Sequence, residues 1–191
     1  MKALSLAIVL IAGWPAVAAA HPIPGVNDFY VGMLHPLTTI EFLLPLVALS
    51  LLSGGQDRGT AIGMLATIPL SLLAGAIVAL VAPVPDSVRW IPLVSMAVVG
   101  GLVAAAAKMP VAVAVALSAV IGAAIGWANG TDVGERISAI RYIPGVSLAG
   151  FLLAAYGIGC VRAIRIPWVL IAFRVLGSWI SAVGILFLGL K

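Results

Sequence analysis

The sequence predicts an all-α integral membrane protein, a bundle of about six transmembrane helices behind a cleavable signal peptide. Three observations lead there. Hydrophobic residues make up 63% of the chain and charged residues 8%, whereas a soluble domain is nearer half apolar and a quarter charged. The mean hydropathy is +1.26. Six separate stretches approach the roughly 20 apolar residues that a helical span needs. The 21 glycines and 12 prolines do not contradict this, because neighbouring helices re-satisfy the backbone groups that such residues free in a membrane.

The chain opens as a secretory leader does. Met1-Lys2 supplies a short positive start, Ala3 to Gly13 an apolar core too short to span, and Ala18-Ala19-Ala20 a small-residue cleavage site. Cleavage after Ala20 makes residues 1–20 the signal peptide and 21–191 the membrane domain; an uncleaved anchor over 3–20 is the alternative. Cleavage leaves His21 first, outside the cytoplasm, which in a Gram-negative bacterium means the periplasm. A terminal histidine offers an α-amine and an imidazole to one metal ion, and nickel, copper and zinc accept such ligands. The other reading of His21-Pro22-Ile23-Pro24-Gly25 is a polar leader without ligand role.

The spans expected are 31–53, 60–82, 90–107, 110–128, 143–162 and 167–190. With the N-terminus outside, the cytoplasmic loops carry Arg58, Lys108, Arg162 and Arg165. The outer loops carry Arg89, Arg136 and Arg141, offset by Asp86, Asp132 and Glu135. The basic bias is small but agrees with the leader, and points to the cytoplasmic (inner) membrane of a bacterium. Trp90, Trp127 and Trp168 fall near span ends, as interfacial aromatics do. Gly122 and Gly126, and the series Gly177, Ser181, Gly184, have the spacing that lets helices approach closely, within one bundle or between subunits. Pro45 and Pro69 sit inside spans and should kink them, whereas Pro92 falls in a first turn. The net charge of +4 is scattered, which argues for topology and against nucleic-acid binding. The single Cys160 allows neither an internal disulfide nor a cysteine metal cluster.

Few residues are left to carry chemistry. Glu41 lies in apolar sequence, where a carboxylate costs about 2.5–3.5 kcal/mol on insertion scales. It invites ion or proton handling, or a structural partnership with Arg174. Arg174 alternatively snorkels or packs at a helix end. His35 is six residues before Glu41, about 120° round a straight helix, so the two are not adjacent ligands unless the chain departs from a helix near Pro36. Asn129 and Asp132, three apart, either share a face and offer oxygen ligands or cap and turn the chain. There is no phosphate-binding glycine loop, no G-x-S-x-G and no H-E-x-x-H, and these absences weigh against an enzyme.

These residues resemble a family. A leader, then His21-Pro22, then Phe29-x-x-Gly32-x-x-His35-Pro36 and an apolar span is similar to the HupE/UreJ proteins, hydrogenase and urease accessory membrane proteins regarded as nickel or cobalt permeases. The family pattern H-P-x-x-G-x-D-H-L-L reads here as His35 to Leu44, with Thr39 at the glycine, Glu41 at the acid and Phe42 at the second histidine. The later pattern H-G-x-A-H-G-x-E reads as Ile125 to Asp132, keeping the glycines and the alanine, placing Asn129 at the second histidine and keeping the acid as Asp132. Tyr142-x-x-Gly145 and Arg174-x-x-Gly177 also fit, with Ala154 where a further histidine is expected. The resemblance implies a multi-pass permease for a divalent transition metal ion, with His21, His35, Glu41, Asn129 and Asp132 as its ligands. Nickel or cobalt would be cargo and not a permanent cofactor, and metalloenzyme-maturation proteins or a second copy would be partners. Two alternatives stand beside it: a non-transporting membrane scaffold, which the missing histidines support, and a proton-coupled transporter of a small solute with Glu41 as proton carrier.

Overall fold

The computed structural model describes residues 27–131, 133, 137–164 and 166–190, and every regular element among them is a helix. The predicted signal peptide, His21 and Asp132 lie outside the described residues. The helices are α1 (Asp28–Thr38), α2 (Ile40–Gly55), α3 (Arg58–Val78), α4 (Asp86–Arg89), α5 (Ile91–Ala104), α6 (Val111–Thr131), α7 (Ala139–Ala163) and α8 (Pro167–Leu190). Five spans are long and apolar enough to cross a membrane, one of them running continuously from α4 into α5, and the bent pair α1 and α2 makes a sixth if counted as one.

The first expected span, 31–53, is thus broken. Thr39 is extended, with φ −93° and ψ 109°, and α2 leaves at 78° to α1. Local chemistry explains the position. Thr38 donates its hydroxyl to the carbonyls of Leu34 and His35, and Thr39 is β-branched with restricted χ1. The amide of Thr39 closes α1 on the His35 carbonyl, and the carbonyl of Thr39 opens α2 by accepting from Phe42 and Leu43.

Glycine contacts fix the rest of the frame. Gly32 of α1 lies against the carbonyl of Tyr142, and Gly145 of α7 lies against the carbonyl of Phe29, so a Cβ at either would strike backbone. The same exchange joins α3 to α6, where Gly75 meets the Ala123 carbonyl and Gly126 meets that of Leu72. The small residues of α8 serve the bundle too: Gly177 and Gly184 pack on α5, and Ser181 donates to the Ala97 carbonyl at 2.7 Å. Both predicted small-residue series therefore pack helices within one chain. Leu46, Leu49, Met64, Ile68, Leu72 and Met96 fill the centre, all essentially inaccessible.

One end of the bundle is tied together by Gln56, the C-cap of α2. Its amide nitrogen donates to the carbonyls of Leu52 (3.1 Å) and Ala107 (2.9 Å), while its amide oxygen accepts from the Met109 amide at 3.0 Å. Its main-chain carbonyl accepts from Arg162 at 2.8 Å, and Lys108 donates to the Gly55 carbonyl. Asp57 caps α3 here; the side-chain hydrogen bond with Thr60 leads the causes that hold its carboxyl below the ordinary 3.8. Arg174 donates to the Ala104 carbonyl at 2.8 Å, at the C-terminus of α5. It therefore packs at a helix end, at the opposite end of α2 from Glu41. At the other face of the bundle, Asp28 accepts from the amide of Ser138 at 3.0 Å, tying the start of α1 to that of α7.

After α5 the chain reverses through Ala106, at φ 52°. Ala106 and Ala107 donate to the carbonyls of Val103 and Leu102, the paired bonds of a Schellman ending whose left-handed residue favours glycine. Ala106→Gly should therefore raise the unfolding free energy by roughly 1 kcal/mol, the scale of the left-handed penalty for a residue with a Cβ. Denaturant unfolding in detergent micelles checks this, and an unchanged or lower midpoint contradicts it.

Candidate functional site

Three helices bring the site together. His35 comes from the last turn of α1, the side chains of Glu41 and Phe42 from the first turn of α2, and Asn129 from the end of α6. The glycine contacts of α1 on α7 and of α6 on α3 set these positions, and Asn129 stands one turn beyond Gly126.

His35 is 7% exposed and Asn129 is fully buried. The ring Nδ1 of His35 donates to the amide oxygen of Asn129 at 2.7 Å. The direction follows from the amide's other end, where Nδ2 donates to the carbonyl of Ile125 at 2.8 Å and so leaves only the oxygen to face the ring. A proton on Nδ1 puts the lone pair of the neutral ring on Nε2, the atom through which such a histidine accepts a hydrogen bond or ligates a metal. The ring is held between Phe42 and Tyr142, with centroids 5.9 and 6.1 Å away.

Asn129 is therefore no turn residue. The expected span 110–128 continues as helix to Thr131, and Asn129 faces the bundle instead of the loop. Polar burial explains the difference: an amide whose donor and acceptor both find partners inside the helix bundle has no need of the turn chemistry that Asn-Gly suggests.

Glu41 lines a partly open cleft of about 220 Å³ with Thr39, Phe42, Arg89, Ala128 and Thr131 among its walls. Phe42 belongs both to this cleft and to the packing round His35, and Ala128 directly precedes Asn129, so the cleft abuts the buried pair. His35, Glu41 and Asn129 thus belong to one region, despite the unfavourable angle that a straight helix would give the first two. The break at Thr39 is responsible. No group of three or more His, Cys, Asp or Glu side chains capable of holding a metal occurs among the described residues.

Sequence patterns did not anticipate two residues here. Tyr142 follows from the Tyr-x-x-Gly match only as a helix start, yet it forms one wall round His35. Arg89, read as a loop charge, stands in the Glu41 cleft; it keeps a long contact of 3.8 Å with exposed Asp86. Its position three residues before Pro92, at the same end as Glu41, is the signal that was present in the sequence.

Replacing Asn129 by leucine leaves the Nδ1 proton of His35 without this acceptor in a buried setting. The expected loss is about 1–3 kcal/mol of unfolding free energy. Thr131→Ala, at an exposed position on the same helix, serves as the control in denaturant titrations and should cost much less. Equal midpoints for the two variants would contradict the role assigned to the pair.

A comparison with protein families matches residues 8–187 to the model described as HupE / UreJ protein. No curated protein matches the chain, and no solved structure does. The match runs through all the helices and both ends of the site, with His35, Glu41 and Asn129 inside it, so the chain belongs to the HupE/UreJ family.

Proposed function

We propose that the protein is a membrane permease that passes a divalent transition metal ion, nickel or cobalt, towards metalloenzyme maturation, and is not an enzyme. The observation that carries this reading is the buried His35–Asn129 pair beside the Glu41 cleft, in a chain of this family. Asn129 fixes the ring tautomer as an outer partner of a metal-ligating histidine does, which points Nε2 as the ligand atom. Glu41 supplies a carboxylate, and imidazole with carboxylate is a donor set that nickel and cobalt accept. His21 and Asp132 would complete the entry path from outside.

A sparse donor set suits passage better than storage, because conduction needs an ion to leave as readily as it enters. Orientation supports entry at this end. The opposite end carries Arg58, Lys108 and Arg162, so by the excess of basic residues it is the cytoplasmic one. The His35 cleft then faces the periplasm of a bacterial inner membrane.

A second reading, a non-transporting accessory protein, draws on a specific observation. The positions where the family pattern has further histidines are Phe42, Ile125, Asn129 and Ala154, all of them buried here and all but Asn129 apolar. Phe42, Ile125 and Ala154 leave Asn129 as the one polar side chain among these positions.

Uptake of radioactive nickel or cobalt by cells expressing the wild type, Glu41→Gln and His35→Ala separates the readings. The permease reading expects uptake above vector control and a loss of about tenfold or more in each variant, the low end of what losing a group round a metal ligand costs. Uptake by the wild type no better than vector, together with no nickel binding by the purified protein at micromolar concentration, would favour the accessory reading instead.

A further inference from the structure

The basic end of the bundle holds a second cavity, unrelated to the cleft at Glu41. It encloses about 320 Å³ between the C-terminal turns of α2 and α5, the end of α7 and the first turns of α8. Its walls are mainly apolar, formed by Leu51, Leu102, Val103, Val161, Leu170 and Phe173. Its rim carries Lys108 and Arg174. A shallower recess of about 440 Å³ continues from it past Gln56, Val161 and Leu170 and reaches Arg162.

We propose that this cavity is a binding site for an anionic phospholipid of the cytoplasmic leaflet, with its phosphate on Lys108 and Arg174 and one acyl chain along the apolar wall. It is independent of any role in metal transport.

Charge argues for the headgroup. Lys108, Arg162 and Arg174 converge on two helix C-termini, those of α2 and α5, where they donate to the carbonyls of Gly55, Gln56 and Ala104. Each helix end contributes roughly −0.5 of a charge, so two ends offset about a third of three full positive charges. Among the described residues no carboxylate stands within ion-pair distance of these cations, and Asp57 acts on Lys108 only through space while capping α3. Each arginine uses one N–H group in these bonds and has five to offer. A surplus of positive charge therefore stands at the mouth of an apolar cavity. Such a rim repels a divalent cation, which makes the cavity unsuited to the metal path.

Depth argues for a lipid over a soluble anion. Trp168, 68% exposed, opens α8 at the same end, as an aromatic at headgroup level does. The wall contributed by α8 belongs to the least buried span of the bundle, only 17% buried, so the cavity opens towards the acyl chains. Lipid tails and the wall are equally apolar, so burial of the chain gives no preference between lipids. Selectivity comes from the headgroup charge, as at basic pockets between transmembrane helices.

Native mass spectrometry of the full, delipidated protein in a non-ionic detergent tests this, with phosphatidylglycerol, phosphatidylcholine and inorganic phosphate as separate probes. Phosphatidylglycerol should bind at least fivefold tighter than phosphatidylcholine, and inorganic phosphate should not compete at equal concentration. Lys108→Gln with Arg174→Gln, which keeps amide donors for the helix ends, should abolish the preference. Leu170→Trp, which fills the cavity from an exposed position and leaves the cations in place, should weaken phosphatidylglycerol at least fivefold. Should the glutamine variant not fold, as read by size-exclusion chromatography, Leu170→Trp decides alone. Equal binding of the two lipids, undiminished phosphatidylglycerol binding to Leu170→Trp, or full competition by phosphate each overturns the proposal.

Discussion

The buried hydrogen bond between His35 and Asn129 is the constraint on which the Glu41 end of the bundle depends. It joins residues 94 apart in the chain and ties the tip of α1 to the end of α6. In hydrocarbon neither group has water to fall back on, so each is held to a partner at several kcal/mol per unsatisfied group. That requirement propagates outward. α1 must end where the imidazole meets the amide, so the chain has to turn at once into α2. Asn129 must face inward, so α6 must run past its expected stop.

What lets side chains meet at this distance is the absence of other side chains behind them. Gly32 against Tyr142 and Gly145 against Phe29 press α1 onto α7, and Gly126 against Leu72 presses α6 onto α3. Without a hydrophobic force between helices in lipid, such backbone approach supplies the packing energy and also sets the geometry. The glycines thus explain a division within the family pattern. Gly126 and Gly130 of the H-G-x-A-H-G-x-E stretch stand against α3, and the chain retains them. The histidine positions of that stretch pack without demanding imidazole, and the chain carries Ile125 and Asn129 there. Scaffold and chemistry are separable, residue by residue.

The membrane architecture was legible because hydropathy and length are local properties: the expected 167–190 is α8 to the residue, and 60–82 and 143–162 fall within four residues of α3 and α7. The break at Thr39 was legible only as the condition that the chain leave the helix near Pro36 if His35 and Glu41 are to meet. An unbroken apolar run with Pro36 and Pro45 reads as one kinked span, and nothing in a hydropathy window separates a kink from a turn of 78°. The family pattern puts glycine at this position, yet the backbone here, at φ −93°, is one that threonine adopts freely. The sequence left Asn129 open between a turn and an inward ligand for a related reason. Asn-Gly after an apolar run is a turn signal in water, and only the partner, His35, supplied from another helix, converts it into a helical contact. The site was therefore readable as a set of residues and unreadable as a geometry.

The two ends of α2 divide the molecule by sign of charge. Glu41 begins the helix in a cleft near the buried imidazole, whereas Gly55 and Gln56 end it under a cluster of cations. Between them lie Leu46 and Leu49 of α2, packed against Met64, Ile68 and Leu72 of α3 in a closed apolar layer. A divalent ion at Glu41 would meet this layer before the basic end, and dehydrated charge crosses such a layer only if helices move apart. The helices able to move least are those locked by backbone contact, α3 with α6 and α1 with α7. α2 is met by α7 through Gly157, which lies against Ser50, and it carries Pro45, which cannot donate a backbone hydrogen bond within the helix.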